Sequence, residues 1–368
     1  MTRLALLCLA LMWPAMPSLV VAEPDEEQQL VSVLLADRPP NEKAAACARL
    51  KQIGTAECVS ALAALLADEK LSHSARYALE SMPCPEAGEA LCAVLGGATG
   101  ETKVGLIDSL GVRRERQAIP ALVKLLTDAD ESVARAAARA LGKIGGAEAG
   151  KALRAAWPKS AVVARPAVAD ALLRCADVLR TEGDAKGAAA ICREVYESRE
   201  AMHVRAAAFR GLVLASGDRA ATLVAGALKG TDPAARVAAF PLVRELPGAE
   251  ATKAFVSVLP QIAPDVQVSL LEALSQRGDV MAQSAVASAA KAREVTVRVA
   301  AWKALGELGD ASAVRQLAEA AAAATGDERE AAGDHLVEDH AERPEIAATV
   351  HLLAPRLLGA HVGRRSER

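Results

Sequence analysis

The residues best suited to chemistry lie near the end of the sequence, in the run DHLVEDH at residues 334–340. His335 and Asp339 are one helical turn apart, and His340 follows directly. Two imidazoles with nearby carboxylates form a ligand set that suits a transition metal. Such a run is more often a solvated terminal helix, which is the interpretation we adopt. A metal-dependent enzyme built on these three residues is the alternative.

The sequence carries no other catalytic signature. No serine stands in a G-x-S-x-G elbow, no glycine-rich loop stands between a strand and a helix, and no C-x-x-C pair is present. We therefore predict neither catalytic residues nor a cofactor, and we expect a protein that is not an enzyme.

Seven arginines indicate a binding surface. Guanidinium groups form bidentate contacts with carboxylates and sulfates, so an acidic peptide or an anionic glycan would suit them as a ligand. Pairing of these arginines with acidic residues of neighbouring repeats is the alternative, and the two roles are compatible. The candidates are Arg113 and Arg114 in a loop, and Arg135, Arg139, Arg205, Arg236 and Arg298 on predicted helices.

Two cysteines suggest a covalent link. Cys175 and Cys192 lie symmetrically about the break EGD at residues 182–184, so an antiparallel helical hairpin would place them opposite each other. A disulfide between them requires Cβ atoms within about 4.5 Å. Buried free thiols are the alternative, because cysteine is often a small core residue.

These residues must be positioned by a repeated helical element. Residues 130–145, DESVARAAARALGKIG, return in altered form at residues 293–309, and Gly278-Asp279 is followed one period later by Gly309-Asp310. A glycine that ends one helix and an aspartate that caps the next explain these pairs. The period is about 31 residues (309 − 278), and apolar residues inside it recur at helical spacing. Two helices fit one period, so each unit is predicted to be a helical hairpin.

The composition favours an all-α fold and disfavours some partners. Hydrophobic residues make up 52% of the 368 positions but aromatic residues only 2%, so alanine, leucine and valine must form the core. Phe209, Phe240 and Trp302 fall at one repeat position, as stacked core residues would. The net charge of −3 gives no concentrated positive field for nucleic acid. We expect protein partners and no nucleic acid.

The sequence segment VRVAAWKALGELGD at residues 297–310 resembles the HEAT-like repeat of phycobilisome linker-chromophore lyases. This resemblance covers residues 41–326 and implies a right-handed α-solenoid of nine to ten helical hairpins with its second helices on the concave face. Residues 167–198 resemble a longer, tetratricopeptide-like hairpin. Deoxyhypusine hydroxylases with similar repeats bind iron through His-Glu pairs, and no such dipeptide occurs here.

The ends of the sequence indicate export. Arg3, the apolar residues 4–13 and the small residues 20–22 form a signal peptide, with cleavage expected after Ala22. An acidic lead at residues 23–40 follows, and capping helices at 327–362 and a disordered tail at 363–368 close the sequence. No stable membrane insertion is expected after cleavage. The whole layout resembles the exported HEAT-repeat proteins of planctomycetes and related bacteria, which favours a periplasmic or extracellular scaffold that binds proteins.

Overall fold

A computed structural model describes residues 24–160 and 162–308 of the protein. Within these ranges it holds eighteen α-helices and no strand. The predicted signal peptide, the last repeat after residue 308, the capping helices, the tail and the His335, Asp339 and His340 cluster lie outside the described residues. The helices are α1 (Pro24–Leu35), α2 (Pro40–Ile53), α3 (Val59–Ala63), α4 (Ser72–Ser81), α5 (Pro85–Leu95), α6 (Gly100–Arg113), α7 (Ile119–Leu125), α8 (Glu131–Ile144), α9 (Gly146–Ala156), α10 (Arg165–Thr181), α11 (Ala185–Tyr196), α12 (Met202–Leu214), α13 (Ala220–Lys229), α14 (Pro233–Glu245), α15 (Ala249–Val258), α16 (Pro264–Arg277), α17 (Gln283–Ala289) and α18 (Val295–Leu308).

Consecutive helices pair into nine hairpins in this part of the chain, which confirms the all-α repeat fold. The predicted helix ends, a glycine followed by an aspartate cap, are also found. Gly278 ends α16 with a left-handed φ of 70°, and the Asp279 carboxylate then accepts a hydrogen bond from the backbone N–H of Met281. Asp232 caps α14 in the same way, with Pro233 at the first helical position.

The acidic lead has more structure than the sequence indicated. It forms α1, whose Leu34 is buried and whose Glu26 makes a bidentate ion pair with Arg49 of α2 at 2.7 and 3.0 Å. Glu27 is also buried and accepts hydrogen bonds from the backbone and hydroxyl of Thr55. From the repeat pattern, residues 41–54 are expected to form only an opening half-unit, but with α1 in place their helix α2 is the second helix of a complete hairpin.

The described chain divides into two compact units between Ala140 and Leu141, within α8. Part of the first unit recurs in the second. The helices α6, α7 and α8 have the same lengths as α16, α17 and α18, and each starts the same number of residues before its counterpart. The repeated sequence segment that begins at residue 130 thus belongs to a longer structural duplication. α10, in the tetratricopeptide-like hairpin, is the longest described helix at 17 residues.

Candidate binding surface

Three of the predicted arginines, Arg205, Arg236 and Arg298, occupy one repeat position and do not lie on an open face of the second helices. Arg205 donates a hydrogen bond from Nε to the Tyr196 carbonyl, and Arg236 donates from Nη2 to the Gly230 carbonyl. Arg298 donates to the carbonyls of Ala292 and Arg293 in its own preceding loop. These guanidinium groups therefore tie the first turn of each second helix to the end of the preceding helix or to the loop after it.

A glutamine completes this series. Gln267 of α16 stands midway between Arg236 and Arg298 in the sequence, and its Nε2 donates to the carbonyls of Leu259 and Ile262. The loop needs a long side chain with N–H donors at this position, and either residue type supplies them. The recurrence of these donors at one repeat position therefore reflects a structural requirement of the repeat.

Arg113, predicted as an exposed loop residue, is buried. Its side chain is only 8% exposed and donates hydrogen bonds to the carbonyls of Leu79, Met82 and Cys84. Those carbonyls lie at the end of α4 and in the loop after it, so Arg113 joins neighbouring hairpins of the first unit. The adjacent Arg114 is exposed and ends α6 in a left-handed conformation with φ 54°. Of the predicted loop pair, only Arg114 faces solvent.

Arg135 and Arg139 are the two predicted arginines exposed on the face of a second helix. Arg135 pairs with Glu131 within α8, whereas Arg139 pairs with Asp108 of α6 at 3.3 Å. The second contact is the inter-repeat pairing considered as the alternative for these arginines. Both pairs are exposed and add little stability.

A partly buried network joins α11, the following helix α12 and the start of α14. Tyr196 donates its hydroxyl to Asp232 Oδ2 at 2.5 Å, and Arg205 Nη2 donates to the same oxygen at 2.9 Å. Burial, together with the adjacent Asp232 carboxylate, raises the pKa of Tyr196 to about 12. Burial opposes ionisation of Asp232, but the hydrogen bonds from Tyr196, the Ala234 backbone and Arg205 outweigh it and lower the Asp232 pKa. The tyrosine stays protonated and the aspartate ionised at neutral pH, as a fixed structural link requires.

The exposed positions of the second helices vary in chemistry from hairpin to hairpin. They lie five and nine residues after the arginine or glutamine that contacts the loop, and we call them the second-helix stripe. Seven of the eight are exposed, and Pro241 is partly exposed. The stripe consists of Arg210 and Leu214 on α12, Pro241 and Glu245 on α14, Glu272 and Gln276 on α16, and Lys303 and Glu307 on α18.

Side chains link neighbouring helices along the stripe. Arg210 pairs with Glu245, and Arg244 donates to Gln276, which in turn donates to Glu272 at 3.4 Å. The buried positions between them keep alanine, leucine and valine in every hairpin. The recurring residue types of the sequence do not reveal this stripe, because its residues change from repeat to repeat while the core stays constant.

The two symmetric cysteines are free thiols in the structure, so the predicted disulfide is not formed there. Their sulfur atoms face different helices. Cys175 Sγ lies 3.8 Å from the Leu141 carbonyl oxygen, and Cys192 Sγ faces Gly211 of α12. Burial raises the pKa of Cys175 to about 12 and that of Cys192 to about 11, so both thiols stay protonated and unreactive at neutral pH. The alternative of buried thiols describes what the structure shows.

Two grooves open at the loop edge of the second unit. One, of about 640 Å³, lies beside Trp157 and Pro158, and the other, of about 430 Å³, lies beside Leu259 and Pro260. Each follows the end of a first helix. Among residues 24–160 and 162–308, no three His, Cys, Asp or Glu side chains are arranged to bind a metal ion, and no helix is long and apolar enough to cross a membrane.

Comparison with known proteins agrees with this architecture. The family model for HEAT repeats matches residues 88–173. The karyopherin Kap121p, bound to the extreme C-terminus of the protein phosphatase Cdc14p, has a TM-score of 0.51 over 96% of this chain at 12% identity. The fold is a HEAT-like α-solenoid. This chain spans 45% of that karyopherin, so the similarity concerns the fold alone.

Other similarities are weaker. Human deoxyhypusine hydroxylase, in complex with glycerol, aligns with 71% of this HEAT-like chain and 99% of its own at 21% identity and a TM-score of 0.33. A search of curated proteins gives no match.

Proposed function

We propose that this HEAT-like protein is an exported, non-catalytic scaffold that binds other proteins through the second-helix stripe. The observation that carries the proposal is the contrast between a constant core and a variable stripe. A repeat needs its buried positions to stack on its neighbours, but it does not need Arg210, Pro241, Glu272 and Lys303 at equivalent exposed sites. Variation at those sites supplies a specific surface at no cost to the core.

The chemistry of the stripe suits a protein partner. Leu214 and, one turn from the stripe, Val237 are exposed apolar side chains, at 37% and 55%, among charged neighbours. Protein interfaces combine apolar contacts with a polar rim in this way. The Arg210–Glu245 pair, already formed on the free surface, holds both side chains in place, which reduces the entropy lost on binding. Contacts spread over four helices would give an extended interface.

A photo-cross-linking amino acid at Leu214 should capture a partner in cells of the producing organism. The matched control places it at Lys229, an exposed position on the first helix α13. We expect a discrete cross-linked protein, identified by mass spectrometry, from the Leu214 position and none from Lys229. Recovery of the chain alone, or equal cross-linking from both positions, would contradict the proposal.

Export is the second part of the proposal and rests on the sequence pattern of residues 1–22 and on the resemblance to exported HEAT-repeat proteins of planctomycetes and related bacteria. We expect the mature protein, purified from the producing organism, to begin at Glu23. N-terminal sequencing tests this directly. Replacing Ala22 with arginine should block cleavage, and a mature protein that retains residues 1–22 in both forms would refute export by this route.

A further inference from the structure

The groove beside Trp157 has an apolar wall and a wide mouth. Trp157 and Pro158 follow α9, Pro166 stands in the first turn of α10, and Val162 between them is 81% exposed. We call this cavity, of about 640 Å³, the Trp157 groove. A surface of tryptophan, prolines and valine favours contact with apolar side chains.

The charges around the groove leave an excess of positive charge. Its two carboxylates are already paired, Glu194 with Arg154 at 2.6 Å and Glu200 with Arg165 at 3.8 Å. Arg199 lines the same groove, is exposed and has no ion pair among the described residues. An anionic group is the complement that would pair with it.

The start of α10 adds to this preference. The helix begins at Arg165 without a side-chain cap and has no acidic residue in its first turn, so its positive end is not neutralised there. Two donors are also left over: Arg165 Nε and Trp157 Nε1 are both buried and have no hydrogen-bond partner, and Trp157 is only 5% exposed. Buried donors are normally paired, so Trp157 Nε1 points to a missing acceptor.

We propose that the Trp157 groove binds an extended peptide segment in which an aspartate or glutamate lies next to apolar residues. Arg199 and the start of α10 would hold the carboxylate, and the apolar wall would receive the neighbouring side chains. A backbone carbonyl of the peptide would supply the acceptor for Trp157 Nε1. The inference rests on the proposed function, because it assigns such a segment to a partner protein of the scaffold.

The second groove provides a matched control. It repeats the pattern of an apolar residue and a proline after a first helix, Leu259-Pro260 in place of Trp157-Pro158, and it contains Lys291. There, however, Asp265 occupies the first turn of the adjoining helix α16. The positive helix end is offset at that groove, so it lacks the preference for an acidic segment.

Selection of a displayed library of random short peptides on the full-length mature chain tests the inference. We expect enriched peptides to carry an aspartate or glutamate beside apolar residues. By fluorescence anisotropy, the synthetic peptide should bind Arg199→Glu at least about tenfold more weakly than the unchanged chain, and Lys291→Glu within about twofold. Replacing the acidic residue of the peptide with its amide should cause a similar loss.

Three outcomes would overturn the inference: no enriched peptide, enriched peptides without acidic residues, or equal affinity for the Arg199→Glu and Lys291→Glu variants. Both variants change exposed residues, and their circular dichroism should match that of the unchanged chain. Cross-linking at Leu214 separates this test from that of the scaffold. A partner captured at Leu214 without any peptide binding would contradict the groove proposal and leave the scaffold proposal standing. Failure of both experiments would contradict both proposals.

Discussion

Replacing Arg277 with methionine should lower the free energy of unfolding by about 3–5 kcal/mol, because it leaves three backbone carbonyls without the donors of a largely buried guanidinium. The Arg277 side chain is 6% exposed. Its guanidinium donates to the carbonyls of Val243, Leu246 and Gly248. Those carbonyls lie at the end of α14 and in the loop after it, where the helix has no partners of its own for them. Methionine fills similar space but donates nothing.

The measurement is urea denaturation followed by circular dichroism, with Arg210→Met as the control. Arg210 is an arginine on another second helix of the same unit, α12; its side chain is 44% exposed, and it pairs with Glu245. Losing that exposed pair should change the free energy of unfolding by less than about 1 kcal/mol. Equal destabilisation by the two variants would show that the buried contacts of Arg277 do not hold the hairpins together.

The first unit repeats this arrangement with one change. Arg113 contacts three carbonyls at the same sequence separations as Arg277 does. Arg277 Nε also donates to Thr252 Oγ1, whereas the equivalent position in the first unit is Gly88 and Arg113 Nε has no hydrogen-bond partner. The arginine's contacts with the backbone are therefore the common feature of the two units, and the side-chain contact is the variable one.

The sequence predicted the hairpins well because their signals are local. The spacing of apolar residues and pairs such as Gly278-Asp279 depend on a few neighbouring residues. The spacing determines where a helix forms, and the pairs determine where it ends. The helix α1 was missed because its acidic start resembles a solvated lead. Its role depends on contacts with α2 and Thr55, more than twenty residues further along the chain.

The candidate surface was harder to predict because it depends on side-chain direction. Arg113 and Arg205 looked like surface residues, but their guanidinium groups contact backbone carbonyls. Cys175 and Cys192 are symmetric about their turn, yet their sulfurs face different neighbours. Symmetry in the sequence gives the height of a residue along a hairpin and leaves its rotation about the helix axis undetermined.

Gly142, the glycine of the Ala-Leu-Gly segment at residues 140–142, is the site of the second prediction. Alanine usually stabilises a helix when it replaces glycine, but here we expect it to destabilise the protein. A Cβ on Gly142 of α8 would come within 2.9 Å of Ala171 Cα and 3.1 Å of Ala171 Cβ on α10. The obstacle is the backbone of a packed helix, which cannot rotate away. Gly142→Ala should therefore lower the free energy of unfolding by about 1–2 kcal/mol, after subtracting the gain in helix propensity.

The same substitution at Gly226 should have the opposite effect. Gly226 lies inside α13, and a Cβ there would meet no atom within 4 Å. Gly226→Ala should raise the free energy of unfolding by up to about 1 kcal/mol, because only helix propensity changes. Thermal and urea denaturation of the two variants would measure the difference. Stabilisation by both would mean that α8 and α10 separate easily, and that the ALG glycine serves something other than close helix packing.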